Sequence, residues 1–241
     1  MRIHVGKPVG DAWRRYQDHL EAVLAGPRPL ARLLLVAFLA AITWWVYVPL
    51  HELAHAGACV SCGGEVRRMT LAPIYGGSVA ARHFDWVDDD TPYAGQLADF
   101  SPGSDPCYFW LVLAPFVVTP LARPLLRRSA RRRGAIPFVI GTVLALMPLA
   151  SVPGDFYEAS SIVVTRTVGS FLPDVSRLRS DDLVALVSRL AADGATRAEW
   201  GAVAGAAALA LLAALALTGA SIPPVPSPEA ATGTRKGAET I

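Results

Sequence analysis

Charge is scarce in this chain: 17% of its 241 residues are Asp, Glu, Lys or Arg, against roughly 25% in an ordinary soluble domain. With 53% hydrophobic residues and a mean hydropathy of +0.38, this excludes a disordered or fibrous chain and points away from a water-exposed globule. An excess of either sign is also lacking. The net charge is +2, too small to suggest a nucleic-acid partner. Cysteine is rare, and three residues cannot frame a disulfide-stapled miniprotein. There is no internal repeat. What the chain has in quantity is long apolar sequence, which implies an integral membrane protein.

A spanning helix needs about 20 mostly apolar residues. Four stretches approach this: 33–50, continuing as helix-compatible sequence to 58; 107–122, short and carrying Pro115 and Pro120; 135–152; and 200–220. The first is preceded by polar helical sequence and starts too late for a signal peptide, so it reads as a span. The expected fold is an all-α transmembrane bundle of about four spans, with a small β-hairpin or strand pair after the first. Five segments follow: an N-terminal amphipathic cytoplasmic segment (1–29), a core of three spans (30–165), an extramembrane loop with a surface helix (166–197), a fourth span (198–222) and a disordered tail (223–241).

Within the first segment, Trp13, Tyr16, Leu20, Val23 and Leu24 recur at helical spacing, and Gly26-Pro27 ends the pattern. That apolar stripe suits a membrane surface or the protein's own core equally. Two strands are expected at 65–71 and 78–82, separated by Pro73 and Gly76-Gly77, and 85–105 reads as acidic and irregular. Residues 181–192 read as a surface helix with Ser180 as N-cap. Residues 1–32 carry six basic side chains and 123–133 six arginines, whereas 51–106 holds three basic against eight acidic residues. By the positive-inside rule both termini and the arginine loop are cytoplasmic, in a multi-pass protein of a bacterial cell membrane.

The chemistry concentrates in His51-Glu52-Leu53-Ala54-His55. Histidines four apart share one helix face, so both imidazoles reach a single ion. Two such ligands suit zinc, leaving room for a third ligand and a water whose proton Glu52 is placed to take. Two histidines and a carboxylate at the end of an apolar helix are costly without a function. The third ligand is expected from Asp155 or, one helical turn on, Glu158. Both lie at the far end of the third span, and the charge rule brings that end to the same membrane depth as the HExxH motif. Pro153-Gly154 would break the helix there and turn Asp155 inward.

Taken together, these motifs resemble the site-2 protease family of intramembrane zinc metalloproteases, over roughly residues 51–165. His51, Glu52 and His55 match the family's zinc and catalytic motif. Residues 63–71 with Tyr75-Gly76-Gly77 resemble its strand pair, Leu113-Ala114-Pro115 its Ala-Gly-Pro, and Asp155 the aspartate of its Leu-Asp-Gly motif. The resemblance implies peptide-bond hydrolysis in or at the edge of the membrane, with Zn2+ as cofactor and a membrane protein as substrate. This chain departs in four ways. Gly-Asp-Phe replaces Leu-Asp-Gly, the family's usual asparagine-proline stretch before it is absent, no PDZ domain fits, and the charge rule puts the zinc nearer the outside where the family usually holds it nearer the cytosol.

An exposed strand edge near Gly76 and Gly77 would bind an unwound substrate by β-augmentation. Cys59, Cys62 and Cys107 read as unpaired structural thiols, with a Cys59–Cys62 bridge as the oxidised option. Gly201-x-x-x-Gly205 is a small-residue packing face. The leading expectation is a zinc endopeptidase with Glu52 as general base. The alternatives are a non-proteolytic metal-binding membrane protein (sensor, chaperone or assembly factor) and a zinc hydrolase of a lipophilic small molecule. Beyond a membrane protein substrate and the lipid bilayer, no partner is implied, and oligomeric state is left open.

Overall fold

Polar sequence that periodicity makes helical opens the fold. Helix α1 spans Gly6–Leu24 and stops where Gly26 and Arg28 adopt positive φ. Arg32 then donates to the carbonyls of Val23 and Ala25, at 3.0 and 2.7 Å, covering acceptors the helix end leaves open. Helix α2, Pro29–Ser61, runs 33 residues, about 50 Å at 1.5 Å per residue, well beyond the roughly 30 Å of a bilayer's hydrocarbon core. The structure, a computed structural model, describes residues 6–172 and 174–225. Most of the expected tail, from residue 226 on, lies outside the described residues, as do residues 1–5 of the N-terminal segment.

Strand β1, Glu65–Leu71, follows where expected. The second expected strand, 78–82, does not form. After a 3-10 turn at Pro73–Tyr75, Gly76 takes φ 89°, and Gly77–Ala80 winds into a short helix, α3. Alanine-rich sequence favours helix, and a short apolar run carries no period strong enough to oppose it. The partners of β1 come instead from the stretch read as irregular: β2, Val87–Asp88, and β3, Gly95–Ser101. The sheet order is β2-β1-β3, with β2 parallel to β1 and β3 antiparallel, Glu65 opposite Ser101 and Leu71 opposite Gly95. A three-stranded sheet thus replaces the expected hairpin. Arg67 donates to Asp99 across β1 and β3 at 3.1 and 2.8 Å, and these hydrogen bonds hold the Asp99 carboxyl below its ordinary range.

Helix α4, Asp105–Leu113, starts on the Ser104 hydroxyl, which accepts from the Cys107 N–H. Prolines 115 and 120 lack the N–H that an α-helix needs, and between them the chain tightens to 3-10 turns, Ala114–Leu121, before helix α5, Ala122–Arg132. The run 105–132 is one candidate span. Helices α6, Ala135–Ala150, and α7, Asp155–Val168, follow. A turn between them bends the pair by 43°, so the stretch expected as the third span is broken at Pro153-Gly154. Helix α8, Leu183–Ala192, is capped by the Asp182 carboxylate rather than by Ser180. Helix α9, Arg197–Ser221, ends the fold. Its start is a capping box, in which Glu199 accepts from the Thr196 N–H at 2.8 Å and Thr196 from the Glu199 N–H. Mostly helical, the described residues hold three helices long and apolar enough to cross a membrane, or four counting the bent pair.

The chain divides into two units. One comprises Met1–Thr43, Val118–Met147 and Ala216–Ile241. Its core joins Val23, Ala122, Leu126, Phe138, Val139 and Ile222, with Tyr16 and Leu20 packed on them. Tyr16, Leu20 and Val23 of the α1 stripe therefore face protein, whereas Trp13 at its start is exposed. Tyr16 stacks on Phe138 at 6.0 Å, and buried His19 meets the Pro223 carbonyl at 2.8 Å. The second unit, Trp44–Val117 and Pro148–Leu215, packs Met69, Val87 and Leu97 of the sheet against Ala56 and Cys59 of α2, Leu111 and Val112 of α4 and Ala159 of α7. His51, Glu52, His55, Asp155 and Glu158 lie in this unit.

Candidate metal centre

One helical turn of α2 stacks His51 and His55, and their Nε2 atoms lie 3.0 Å apart. The break before α7 makes Asp155 the first residue of a helix and swings its carboxylate onto the pair: Oδ2 is 3.2 Å from His51 Nε2 and Oδ1 3.4 Å from His55 Nε2. These three residues form a group that could hold a metal ion. Donors 2.0–2.1 Å from a tetrahedral ion stand about 3.3 Å from one another, and each imidazole nitrogen lies near that separation from the other and from one oxygen of the Asp155 carboxylate.

The protons agree with the distances. His55 Nδ1 is 2.8 Å from the Leu111 carbonyl, which only accepts, so Nδ1 carries the hydrogen and the neutral ring turns a lone pair inward from Nε2. His51 Nδ1 is 3.0 Å from the Tyr47 hydroxyl. The hydroxyl can accept from an Nδ1–H, and in that tautomer two imidazole lone pairs and a carboxylate converge, an arrangement that suits a cation and is oriented by partners behind the three residues. The Leu111 carbonyl is available because its α-helical donor would be residue 115, a proline. It accepts instead from the Ala114 N–H in a 3-10 bond and keeps a second lone pair for His55. Phe116 closes one side, edge-on to His51 at 5.6 Å and to Phe156 at 4.8 Å.

Glu52 is buried, and its stem lies against the backbone of β3: a Cβ on Gly95 would meet Glu52 Cγ at 2.6 Å. Among the described residues its carboxylate makes no hydrogen bond or ion pair, and it faces a cavity of about 800 Å3 shared with His51, His55 and Asp155. Glu158, the other candidate ligand, stands outside the three-residue group and accepts the hydroxyl of Tyr108. Across the cavity run Gly95–Ala98 and Phe100 of β3 and the segment from Arg179 to Arg189.

Gly76 and Gly77 do not line this cavity. They serve the turn after β1, where a Cβ on Gly77 would sit 1.7 Å from the Leu71 carbonyl oxygen. The strand that borders the site is β3, which pairs with β1 on one side and, among the described residues, with no strand on the other. Tyr47, one turn before His51, and the Leu111-to-Pro115 spacing were readable as supports of the motif; Tyr108 and β3 carried no comparable signal. All three cysteines are free thiols, Cys59 and Cys107 buried and Cys62 exposed. No family model, curated protein or solved structure matches the chain.

Proposed function

We propose that this protein is a zinc-dependent intramembrane endopeptidase of the site-2 protease type. The observation that carries the proposal is the convergence of His51 Nε2, His55 Nε2 and the Asp155 carboxylate oxygens at 3.0–3.4 Å, beside Glu52, which is unpaired among the described residues. Two nitrogens and one oxygen at tetrahedral spacing suit zinc, with a position left for a reactant. Zinc, when bound, supplies Lewis-acid chemistry at the scissile carbonyl and lowers the pKa of the attacking water.

The chain's own residues do the rest. Glu52 takes a proton from the water as its oxygen bonds to the carbonyl carbon, and returns that proton to the amide nitrogen as the C–N bond breaks. The Leu111 carbonyl and the Tyr47 hydroxyl fix the two imidazoles, so their lone pairs stay aimed inward. A substrate helix must unwind before attack, and the free edge of β3 offers backbone groups for the extended segment, the role first expected near Gly76 and Gly77. Gly95, without a side chain, lets that segment pass close to Glu52. The protein would act in a cell membrane on a membrane-protein substrate, with its termini cytoplasmic by the charge rule.

The test is Glu52→Gln in the full-length protein, co-reconstituted with single-span peptides in vesicles. The wild type should cleave, and the variant should hold its zinc and lose cleavage. Cleavage surviving in the variant would remove Glu52 from the mechanism. Zinc binding with hydrolysis of lipid esters but of no peptide would favour the small-molecule hydrolase.

A further inference from the structure

Helix α5 belongs to the first unit and carries the chain's densest charge. Residues 123–133 hold six arginines, all exposed. Ala122, Leu126 and Ser129 are turned inward and fully buried, which fixes the opposite face of the helix. There, Arg123, Arg127 and Arg131 form one i, i+4 row and Arg128 and Arg132 the next. Like charges at that spacing repel and weaken a helix. Counter-charge is absent: between Asp105 and Asp155 the chain contains no acidic residue, and among the described residues none of these arginines makes an ion pair. The two rows line a groove of about 480 Å3 whose other walls, among the described residues, are Pro120 and Pro124.

We propose that this groove binds the headgroup of an anionic phospholipid, one presenting two phosphate charges to the two arginine rows. Planar guanidinium groups match phosphate oxygens bidentately, and such a headgroup would relieve the repulsion within both rows. The neighbouring residues select a lipid over a soluble phosphate. Leu121 and Ile136, at the two ends of the arginine helix, are 55% and 60% exposed and adjoin apolar helices on both sides, so acyl chains would cover what a free anion leaves bare. The arginines then do more than orient the chain in a membrane: they hold a particular class of lipid.

Full-length protein in a neutral detergent is titrated with short-chain cardiolipin, with phosphatidylcholine and with inorganic pyrophosphate, and bound lipid is read by native mass spectrometry. Cardiolipin should bind far more tightly than phosphatidylcholine. The R127Q/R128Q/R131Q variant should bind it about 100-fold more weakly, at roughly fivefold per basic side chain, with its zinc content unchanged. Cardiolipin affinity undiminished in that variant would overturn the proposal, as would pyrophosphate binding as tightly as the lipid. Should the variant fail to fold, the wild type decides: cardiolipin binding should fall steeply between low and high salt, and salt-insensitive binding would refute the site.

Discussion

Replacing Gly95 by alanine separates the base from the metal. The new Cβ would stand 2.6 Å from Glu52 Cγ and 3.2 Å from Cδ. Carbon atoms pack at about 3.5–4.0 Å, so the Glu52 side chain must withdraw by about 1 Å, at a packing cost of about 1–3 kcal/mol. None of His51, His55 and Asp155 is among the nearest neighbours of that Cβ. A displacement of 1 Å at a reacting group lowers a rate about 100-fold. The assay is cleavage of a reconstituted single-span peptide beside zinc content by plasma mass spectrometry. Cleavage should drop by about two orders of magnitude while zinc per chain is unchanged. Unaltered cleavage would refute the placement of Glu52 against β3; equal loss of zinc and cleavage would show that Gly95 supports the ligands and not the base.

Two further predictions test the groups behind the site and the first unit. Tyr47→Phe keeps the ring beside His51, at 5.3 Å between centroids, but removes the hydroxyl that orients it. Zinc affinity measured by chelator competition should fall about 10- to 100-fold, and an unchanged affinity would strip Tyr47 of its role. His19 is buried, donates from Nε2 to the Pro223 carbonyl and has no partner for Nδ1 among the described residues. Burial lowers its pKa below the ordinary 6.5. The unfolded chain therefore takes up a proton before the folded one, and this contribution to stability is present above about pH 6.5 and is lost as pH falls through the lower folded value. Thermal unfolding should show that loss in the wild type and a flatter pH dependence in His19→Gln; identical profiles would contradict it.

The parts of the site that sequence made legible are those carried by local spacing. HExxH needs only one helical turn to bring its imidazoles together, and Pro153-Gly154 marks the break that frees Asp155. Spans followed from apolar length, although Pro115 and Pro120 hid how far the second helical run extends. What escaped depends on distant partners. Strand β3 has Gly95, Ala98 and Asp99 among its seven residues, all poor strand formers, and it is a strand because β1 pairs with it across an intervening loop. The segment 78–82 alternates weakly, and the left-handed Gly76 turned it into a helix. The Tyr108–Glu158 pair joins side chains 50 positions apart, which no spacing rule anticipates. Asp155 was the expected third ligand and Glu158 its alternative on the same helix; the fold gives Asp155 to the imidazoles and Glu158 to a tyrosine.

Zinc content of the detergent-purified full-length protein, measured beside its Asp155→Ala variant, tests the account most directly. It predicts about one zinc per chain in the wild type and a clear loss in the variant, because two imidazoles from one helical turn hold zinc far less tightly without the carboxylate from α7. Full zinc in both proteins, or zinc in neither, would contradict it.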